Sequence, residues 1–302
     1  MECTQLVDLI FFMGQSNMAG RGDATLAPAV TPGMGFEYRA VTDPAHLHPL
    51  AEPFGVNEND PTGVNEPGMK TGSMVSAFVN ACTAKTGVAV VGVSCAKGGS
   101  SITEWLPGMP FFEDAVRRAR RARKFLAENG YTIRHSAMVW CQGCTDGDLH
   151  TLKAVYKLDT DRVIHEFMTD AGLETCFLIQ IGNQRDEPEL YVPIQQAQEE
   201  LAAACDDIVM VSRSCLVSLQ YVQNIRDDKV FLTDTRSFPI SRRKKPLVLQ
   251  AFQEYLTSNV RTSDLRMWKL DLAAEFACMD RSPWPFCIFE IIHDPSSLAQ
   301  YP

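Results

Sequence analysis

The sequence lacks the features that mark several large classes of protein. Its 302 residues contain no run of about 20 apolar residues, so no membrane-spanning helix is expected. Acidic residues (37) outnumber basic ones (28), giving a formal net charge of −9. An acidic chain is repelled by phosphate backbones and by anionic headgroups. Neither nucleic acid nor a membrane is therefore expected as a partner.

Nucleotide-binding and metal-binding patterns are also missing. KGGSS at 97–101 lacks the spacing of a P-loop, and GQSNMAG at 14–20 lacks the dinucleotide fingerprint, which makes a nucleotide or phosphate binder the weakest alternative. CQGC at 141–144 has a metal-type spacing, but no second pair or matching histidines accompany it. No metal and no cofactor are expected.

The apolar run at 7–13 is short and lacks both a basic flank and a small-residue cleavage site, so it does not read as a signal peptide. Several of the ten cysteines fall inside apolar segments and are expected to be free thiols. They are Cys82, Cys95, Cys141, Cys176 and Cys205. Free thiols suit a reducing compartment, and we predict a cytoplasmic protein.

What is present is an alternation of apolar strand-like runs with helix-like segments. Such strands are buried on both faces, which predicts a parallel sheet covered by helices. Strands are predicted at 7–13, 88–96, 136–143, 174–182 and 207–214, and helices at 71–87, 112–130, 160–171 and 192–205. Residues 20–70 show little periodicity and are expected to wrap the surface near a site.

Polar, glycine-rich loops follow four of these strands, and in parallel sheets such loops share one edge, where ligands bind. Ser16 follows the first strand and is the candidate nucleophile. Its own N–H, the N–H of Gly99 (or, alternatively, of Gly98) and the side-chain amide of Gln142 are candidate donors to an oxyanion. Each motif alone is typical of an ordinary turn or loop, so the prediction depends on their joint placement.

GQSNMAGRG, GGSSITEW and WCQGCTDG resemble three successive blocks of the sialate O-acetylesterase and acetylxylan esterase family of carbohydrate esterases, within the SGNH-hydrolase superfamily. The resemblance implies a flavodoxin-like three-layer α/β/α sandwich with a central parallel sheet, and hydrolysis of acetyl esters on a carbohydrate substrate. It places the catalytic roles on Ser16, Gly99 and Gln142. Asn17 would order the first loop, and Gln15, Asn17, Gly98, Trp105 and Asp146 would contact the substrate, although Trp105 is equally consistent with simple packing.

The sequence departs from the family pattern at several positions. Cys141 and Cys144 replace the His and Glu of the third block, whereas Asp146 is retained. In the final Asp-x-x-His block Asp228 is present, but Phe231 stands at the histidine position and cannot accept a proton. The alternative to an active esterase is therefore a catalytically impaired, carbohydrate-binding relative.

Among the six histidines, His150 is the first candidate for a replacement base, because it lies just beyond the third loop. After residue 230 the strand–helix rhythm stops. We predict an esterase domain at 1–230 and a divergent C-terminal segment at 231–302. The apolar aromatics of that segment would need a cover, which makes a homo-oligomer possible.

Overall fold

The computed structural model describes residues 5–212, 222–226, 229–232, 237–239, 249–250 and 252. The chain divides into two compact units, Met1–Ser214 and Cys215–Pro302. Of the helices within the described residues, none is long and apolar enough to cross a membrane. The boundary at residue 230 falls inside a strand of the second unit, and the division into domains stays a prediction.

The first unit is built on a seven-stranded sheet whose strands are parallel except at one edge. Its strands are β1 (Gln5–Gly14), β2 (Gly35–Tyr38), β3 (Leu47–Pro49), β4 (Ala89–Ala96), β5 (Tyr131–Cys141), β6 (Thr175–Gln180) and β7 (Ile208–Ser212). The spatial order is β3-β2-β4-β1-β5-β6-β7, and only the β2–β3 pair is antiparallel. All eight residues of β4 are buried, as expected for a central strand covered on both faces.

Helices cover both faces of this sheet. They are α1 (Ser16–Ala19), α2 (Val75–Thr86), α3 (Pro110–Glu128), α4 (Cys144–Asp148), α5 (Lys153–Ala171) and α6 (Val192–Ala204), with short 3-10 turns at Ala24–Leu26 and Ile102–Trp105. Phe11 of β1 packs edge-on against Phe167 of α5 on one face. Phe12 packs against Phe54 and Phe78 of α2 on the other. The three-layer α/β/α architecture expected from the sequence is confirmed.

Every predicted strand and helix of the first unit is present, although some begin earlier than predicted. Two further strands were not predicted. The aperiodic segment 20–70 contains β2 and β3, which extend the sheet beyond β4. β5 starts at Tyr131 rather than at 136. Its first residues were missed because the polar Arg134, which pairs with the buried carboxylate of Asp8 at 2.6 Å, interrupts the apolar pattern.

The described part of the second unit is a three-stranded antiparallel sheet. Its strands are β8 (Val222–Arg226), β9 (Lys229–Leu232) and β10 (Ser237–Pro239), in the order β10-β9-β8. Phe231 lies in β9, where the Arg226 guanidinium stands 4.8 Å from the centre of its ring. Asp228 lies outside the described residues.

Candidate active site

Three loops begin at the same level of the sheet in the first unit. Gly14, the last residue of β1, is in register with Ala96 at the end of β4 and with Cys141 at the end of β5. The first loop (residues 15–22), the second loop (97–105) and the third loop (142–151) therefore leave adjacent strands side by side. This is the carboxyl edge of a parallel sheet, where ligands bind in such folds.

The turn that presents Ser16 depends on Gly14. Gly14 has a φ of 123°, and a Cβ at this position would lie 2.2 Å from the carbonyl oxygen of Cys141. The close approach lets the Gln15 N–H donate to that oxygen at 2.9 Å and turns the chain into α1. Ser16 is then the first residue of α1, partly exposed, and its backbone N–H has no acceptor among the described residues. A free N–H is normal for the first turn of a helix.

Gln15 joins the first loop to the third. Its side chain is buried, and Oε1 accepts from the Gly143 N–H at 2.8 Å and from the Thr145 N–H at 3.4 Å. The Asn17 amide lies 3.6 Å from the Cys144 sulfur, which adds a second link between the same loops. Gln15 therefore positions the backbone of the third loop. The contacts of Gln15 and Asn17 with substrate stay predictions.

The two glycines of the second loop differ in what their N–H groups do. The Gly98 N–H donates to the Glu66 Oε1 at 2.8 Å, so it is already occupied. Gly99 has a φ of +70°, open space where a Cβ would be, and an N–H with no acceptor among the described residues. The second loop is held to β1 by the Lys97 N–H, which donates to the Gly14 carbonyl at 2.8 Å.

Gln142 occupies a different setting from the one expected of a free oxyanion donor. It is fully buried, and its Nε2 donates to the Ser100 carbonyl at 3.1 Å and to Asp146 Oδ2 at 2.5 Å. Its Oε1 is buried with no partner among the described residues. Both N–H groups of the amide are thus engaged, and donation to a substrate would require one of them to be released.

Asp146 connects the second and third loops through its side-chain hydrogen bonds. Besides Gln142, it accepts from the Ile102 N–H at 2.9 Å and the Thr151 hydroxyl at 3.0 Å, which ties the second loop to the third. Burial raises the pKa of the Asp146 carboxyl, against the opposing effect of these hydrogen bonds. The Asp146 oxygens already accept hydrogen bonds inside the protein. The contact of Asp146 with substrate stays a prediction.

A cleft of about 460 Å³ opens beside Ser16. It is lined by Ser16, Arg21, Asn65, Glu66, Pro67, Met69, Lys97, Gly98 and Gly99. Glu66 is buried and receives the Arg21 guanidinium at 2.7 Å, with the Lys97 ammonium 3.9 Å away. Segment 20–70 therefore does reach the site, as the sequence indicated, but this charged wall was not anticipated, because Arg21 and Glu66 are 45 residues apart.

No histidine of the described residues lines this cleft. His150, the first candidate for the base, lines a separate cavity of about 160 Å³ together with Asp146. His46 and His48 pair with Asp43, and His135 pairs with Glu174. The predicted replacement of the missing base by His150 therefore gains no support from the position of its side chain.

The expectation that Trp105 stacks on a sugar is corrected. Its ring is completely buried, lies edge-on to Trp140 with centroids 5.5 Å apart, and also packs against Phe111. The indole N–H donates to the Ser100 hydroxyl at 2.8 Å. A ring with both faces covered has none to offer a ligand, so Trp105 is a packing residue of the second loop.

The two positions of the final Asp-x-x-His block fall outside the first unit. Phe231 lies in the second unit and Asp228 outside the described residues. Within the described chain, the group of side chains able to hold a metal ion lies on α5 and after α6, not at this cleft. Cys141 is buried, and Cys144 is partly buried.

Comparisons with known proteins agree with this architecture. Residues 7–232 match the family described as carbohydrate esterase, sialic acid-specific acetylesterase. A probable carbohydrate esterase of Arabidopsis thaliana is 29% identical over 198 residues, covering 58% of this chain and 68% of that protein.

Two solved structures share the fold. A protein from Arabidopsis thaliana superposes with a TM-score of 0.55 at 21% identity, covering 84% of this chain and 99% of that one. NanS superposes with a TM-score of 0.51 at 14% identity, covering 85% of this chain and 100% of that one.

Proposed function

The chain belongs to the carbohydrate esterase family whose model describes sialic acid-specific acetylesterases, and we propose that it removes acetyl groups from a carbohydrate with Ser16 as nucleophile. The observation that carries the proposal is the shared cleft. Ser16 and Gly99 line the same cavity, and each presents a backbone N–H that has no acceptor among the described residues.

In the proposed reaction the Ser16 oxygen attacks the carbonyl carbon of the acetyl ester. The carbonyl oxygen becomes negatively charged and is stabilised by the N–H groups of Ser16 and Gly99, with Gln142 as the proposed third donor. As the intermediate collapses, the proton lost by the Ser16 hydroxyl passes to the sugar oxygen. The ester bond breaks, the sugar leaves as a hydroxyl, and an acetyl group stays on Ser16. Water then attacks this acetyl-enzyme, giving acetate and free Ser16.

Hydrogen bonding favours Gly99 over Gly98 as the oxyanion donor of the second loop. The Gly98 N–H would have to break its hydrogen bond to the buried Glu66 carboxylate before it could donate to an oxyanion. The Gly99 N–H has no such hydrogen bond to break among the described residues. The Glu66 carboxylate instead holds Gly98 and Arg21 in place and so shapes the second loop. The acetylated substrate would enter beside this charged wall.

The test compares wild-type protein with Ser16→Ala on a chromogenic acetyl ester. Loss of a serine nucleophile reduces turnover by roughly four to six orders of magnitude, which in practice means to background. The matched control is Ser136→Ala, a buried serine of β5 whose hydroxyl donates to the Gly172 carbonyl at the opposite edge of the sheet. It should retain turnover when folded. Equal turnover by wild type and Ser16→Ala would refute the proposal.

A second candidate function is a carbohydrate-binding relative with impaired catalysis. It is favoured by Phe231 at the histidine position and by the absence of a described histidine from the cleft. It predicts that an acetylated sugar binds to the wild-type protein, as measured by calorimetry, without being hydrolysed. Phe231→His would then be expected to raise turnover only if the C-terminal segment places that side chain correctly. Robust hydrolysis by the wild-type chain rejects this candidate.

A further inference from the structure

A cluster of metal-binding side chains lies away from the Ser16 cleft. Asp161 and His165 are four residues apart on α5, so they share one face of that helix. Cys205 caps the end of α6, and Asp207 immediately precedes β7. Asp207 therefore marks the amino-terminal edge of the sheet, whereas Ser16 follows the carboxyl end of β1.

The ligand atoms of three of these residues are close to one another. One atom from each of Asp161, His165 and Cys205 lies within 4.8 Å of the other two. His165 Nδ1 is 3.0 Å from Asp161 Oδ1, and the Cys205 sulfur is 3.9 Å from the same oxygen. On the far side of the ring, His165 Nε2 is 3.4 Å from Asp207 Oδ1.

We propose that Asp161, His165 and Cys205 form a binding site for a divalent transition-metal ion of the zinc type. Imidazole nitrogen and thiolate sulfur favour borderline-soft ions, whereas magnesium and calcium prefer oxygen ligands. Three protein ligands leave a fourth tetrahedral position for water or for a carboxylate. The site is distinct from the proposed esterase chemistry and does not depend on it.

The distances suit such an ion after small side-chain movements. Zinc bond lengths place neighbouring ligands about 3.3 Å apart for a nitrogen–oxygen pair and about 3.5 Å apart for a sulfur–oxygen pair. The corresponding distances here are 3.0 Å and 3.9 Å. All three side chains are partly exposed, so their rotamers are free to adjust and the ion has a path from solvent.

The surroundings also favour a cation. Asp161 and Asp207 place carboxylates beside the two ring nitrogens of His165, and the Asp161 backbone carbonyl also lies 3.0 Å from Nδ1. Because carboxylates flank both ring nitrogens, the nitrogen not bound to metal would keep an acceptor, as metal-bound histidines usually do.

An ion held here would connect α5 to the segment between α6 and β7. Its effect would be on stability of the first unit rather than on hydrolysis, since none of the three ligands lines the Ser16 cleft. A ligand present at a hundredfold excess over its Kd and bound only by the folded state raises the unfolding midpoint by roughly 5–10 °C for a unit of this size.

The test uses the full chain, stripped of metal with a chelator and kept reduced. Cobalt(II) is the spectroscopic probe, because a cobalt–thiolate bond gives a charge-transfer absorption and tetrahedral cobalt gives visible d–d bands. Zinc chloride is the ligand for calorimetry and thermal unfolding. We expect one cobalt ion per chain, displaced by zinc, with a rise in the unfolding midpoint.

Cys205→Ser should abolish the thiolate absorption, and His165→Asn should weaken zinc binding by at least tenfold. Asp207→Asn should weaken it less, by roughly tenfold at most, because it removes only a carboxylate beside the ring. The matched control is His135→Gln, which removes a histidine that pairs with Glu174 at 2.9 Å and should bind zinc as the wild type does. Identical cobalt spectra for wild type and Cys205→Ser, or no midpoint rise with zinc, would overturn the proposal.

Discussion

Lys70, a buried lysine of segment 20–70, offers a direct test of the electrostatics of the first unit. It is only 3% exposed, and its ammonium group donates to the Gly55 carbonyl and to the Ser94 hydroxyl, both at 3.0 Å. Burial, with a further contribution from the Arg118 charge, lowers its pKa from 10.5 to about 8. Carrying the charge in the folded state therefore costs about 3 kcal/mol relative to the unfolded chain.

The sign of the pH dependence follows from proton binding. Below pH 8 both states hold the proton, and the contribution of Lys70 is constant. Between pH 8 and 10.5 the unfolded chain still holds a proton that the folded chain has released, so stability rises with pH. From pH 7 to pH 10 the wild-type chain should gain about 2–3 kcal/mol from this residue.

Urea unfolding of wild type and Lys70→Met at pH 7, 8, 9 and 10, under reducing conditions, measures this contribution. The difference in unfolding free energy between the two proteins should move by about 2–3 kcal/mol in favour of the wild type as the pH rises. Lys85→Met, at an exposed lysine of α2, is the control for the loss of a lysine side chain. Parallel profiles for wild type and Lys70→Met would refute the reasoning.

Two further predictions concern the turn before Ser16. Gly14→Ala places a methyl group 2.2 Å from the Cys141 carbonyl oxygen at a φ of 123°, and should destabilise the protein by about 3 kcal/mol or more in urea unfolding; a loss under about 1 kcal/mol would contradict the geometry. Gln15→Ala leaves the Gly143 N–H without its acceptor, and should cost about 1–3 kcal/mol and lower acetyl-ester turnover. An unchanged melting temperature together with unchanged turnover would contradict the positioning role of Gln15.

The parallel sheet was predictable because apolar strands buried on both faces leave a clear signal. β1 and β4 are examples, and their burial explains why the sequence there is nearly free of polar residues. β2 and β3 left no such signal, because they are short and lie at the edge of the sheet. β2 pairs with β4 and β3 pairs with β2, so their place in the sheet depends on these contacts and not on their own composition.

The site was predictable at the level of loops and not at the level of hydrogen bonds. Strand ends in register brought Ser16 and Gly99 to one cleft, as expected of a parallel sheet. Which glycine keeps a free N–H depends on Glu66, which is distant in sequence. The packing of Trp105 against Trp140 likewise follows from tertiary structure, since the loop position of Trp105 was equally consistent with substrate contact and with packing.

The candidate metal cluster shows the same limit. Asp161 and His165 have helical spacing, but Cys205 comes from another element 40 residues later. Paired-cysteine spacing in the sequence therefore points to CQGC at 141–144 and not to this cluster. The cytoplasmic location, the homo-oligomer and the roles of Asp228 and Asp146 stay predictions from the sequence.

The most direct test of the central proposal is covalent labelling of the nucleophile. A fluorophosphonate reacts with an activated serine hydroxyl, and mass spectrometry of the digested protein locates the adduct. We predict one adduct per chain, on the peptide containing Ser16, and none in the Ser16→Ala variant. Hydrolysis of acetyl esters by a protein that carries no adduct on Ser16, or carries it on another residue, would contradict the account.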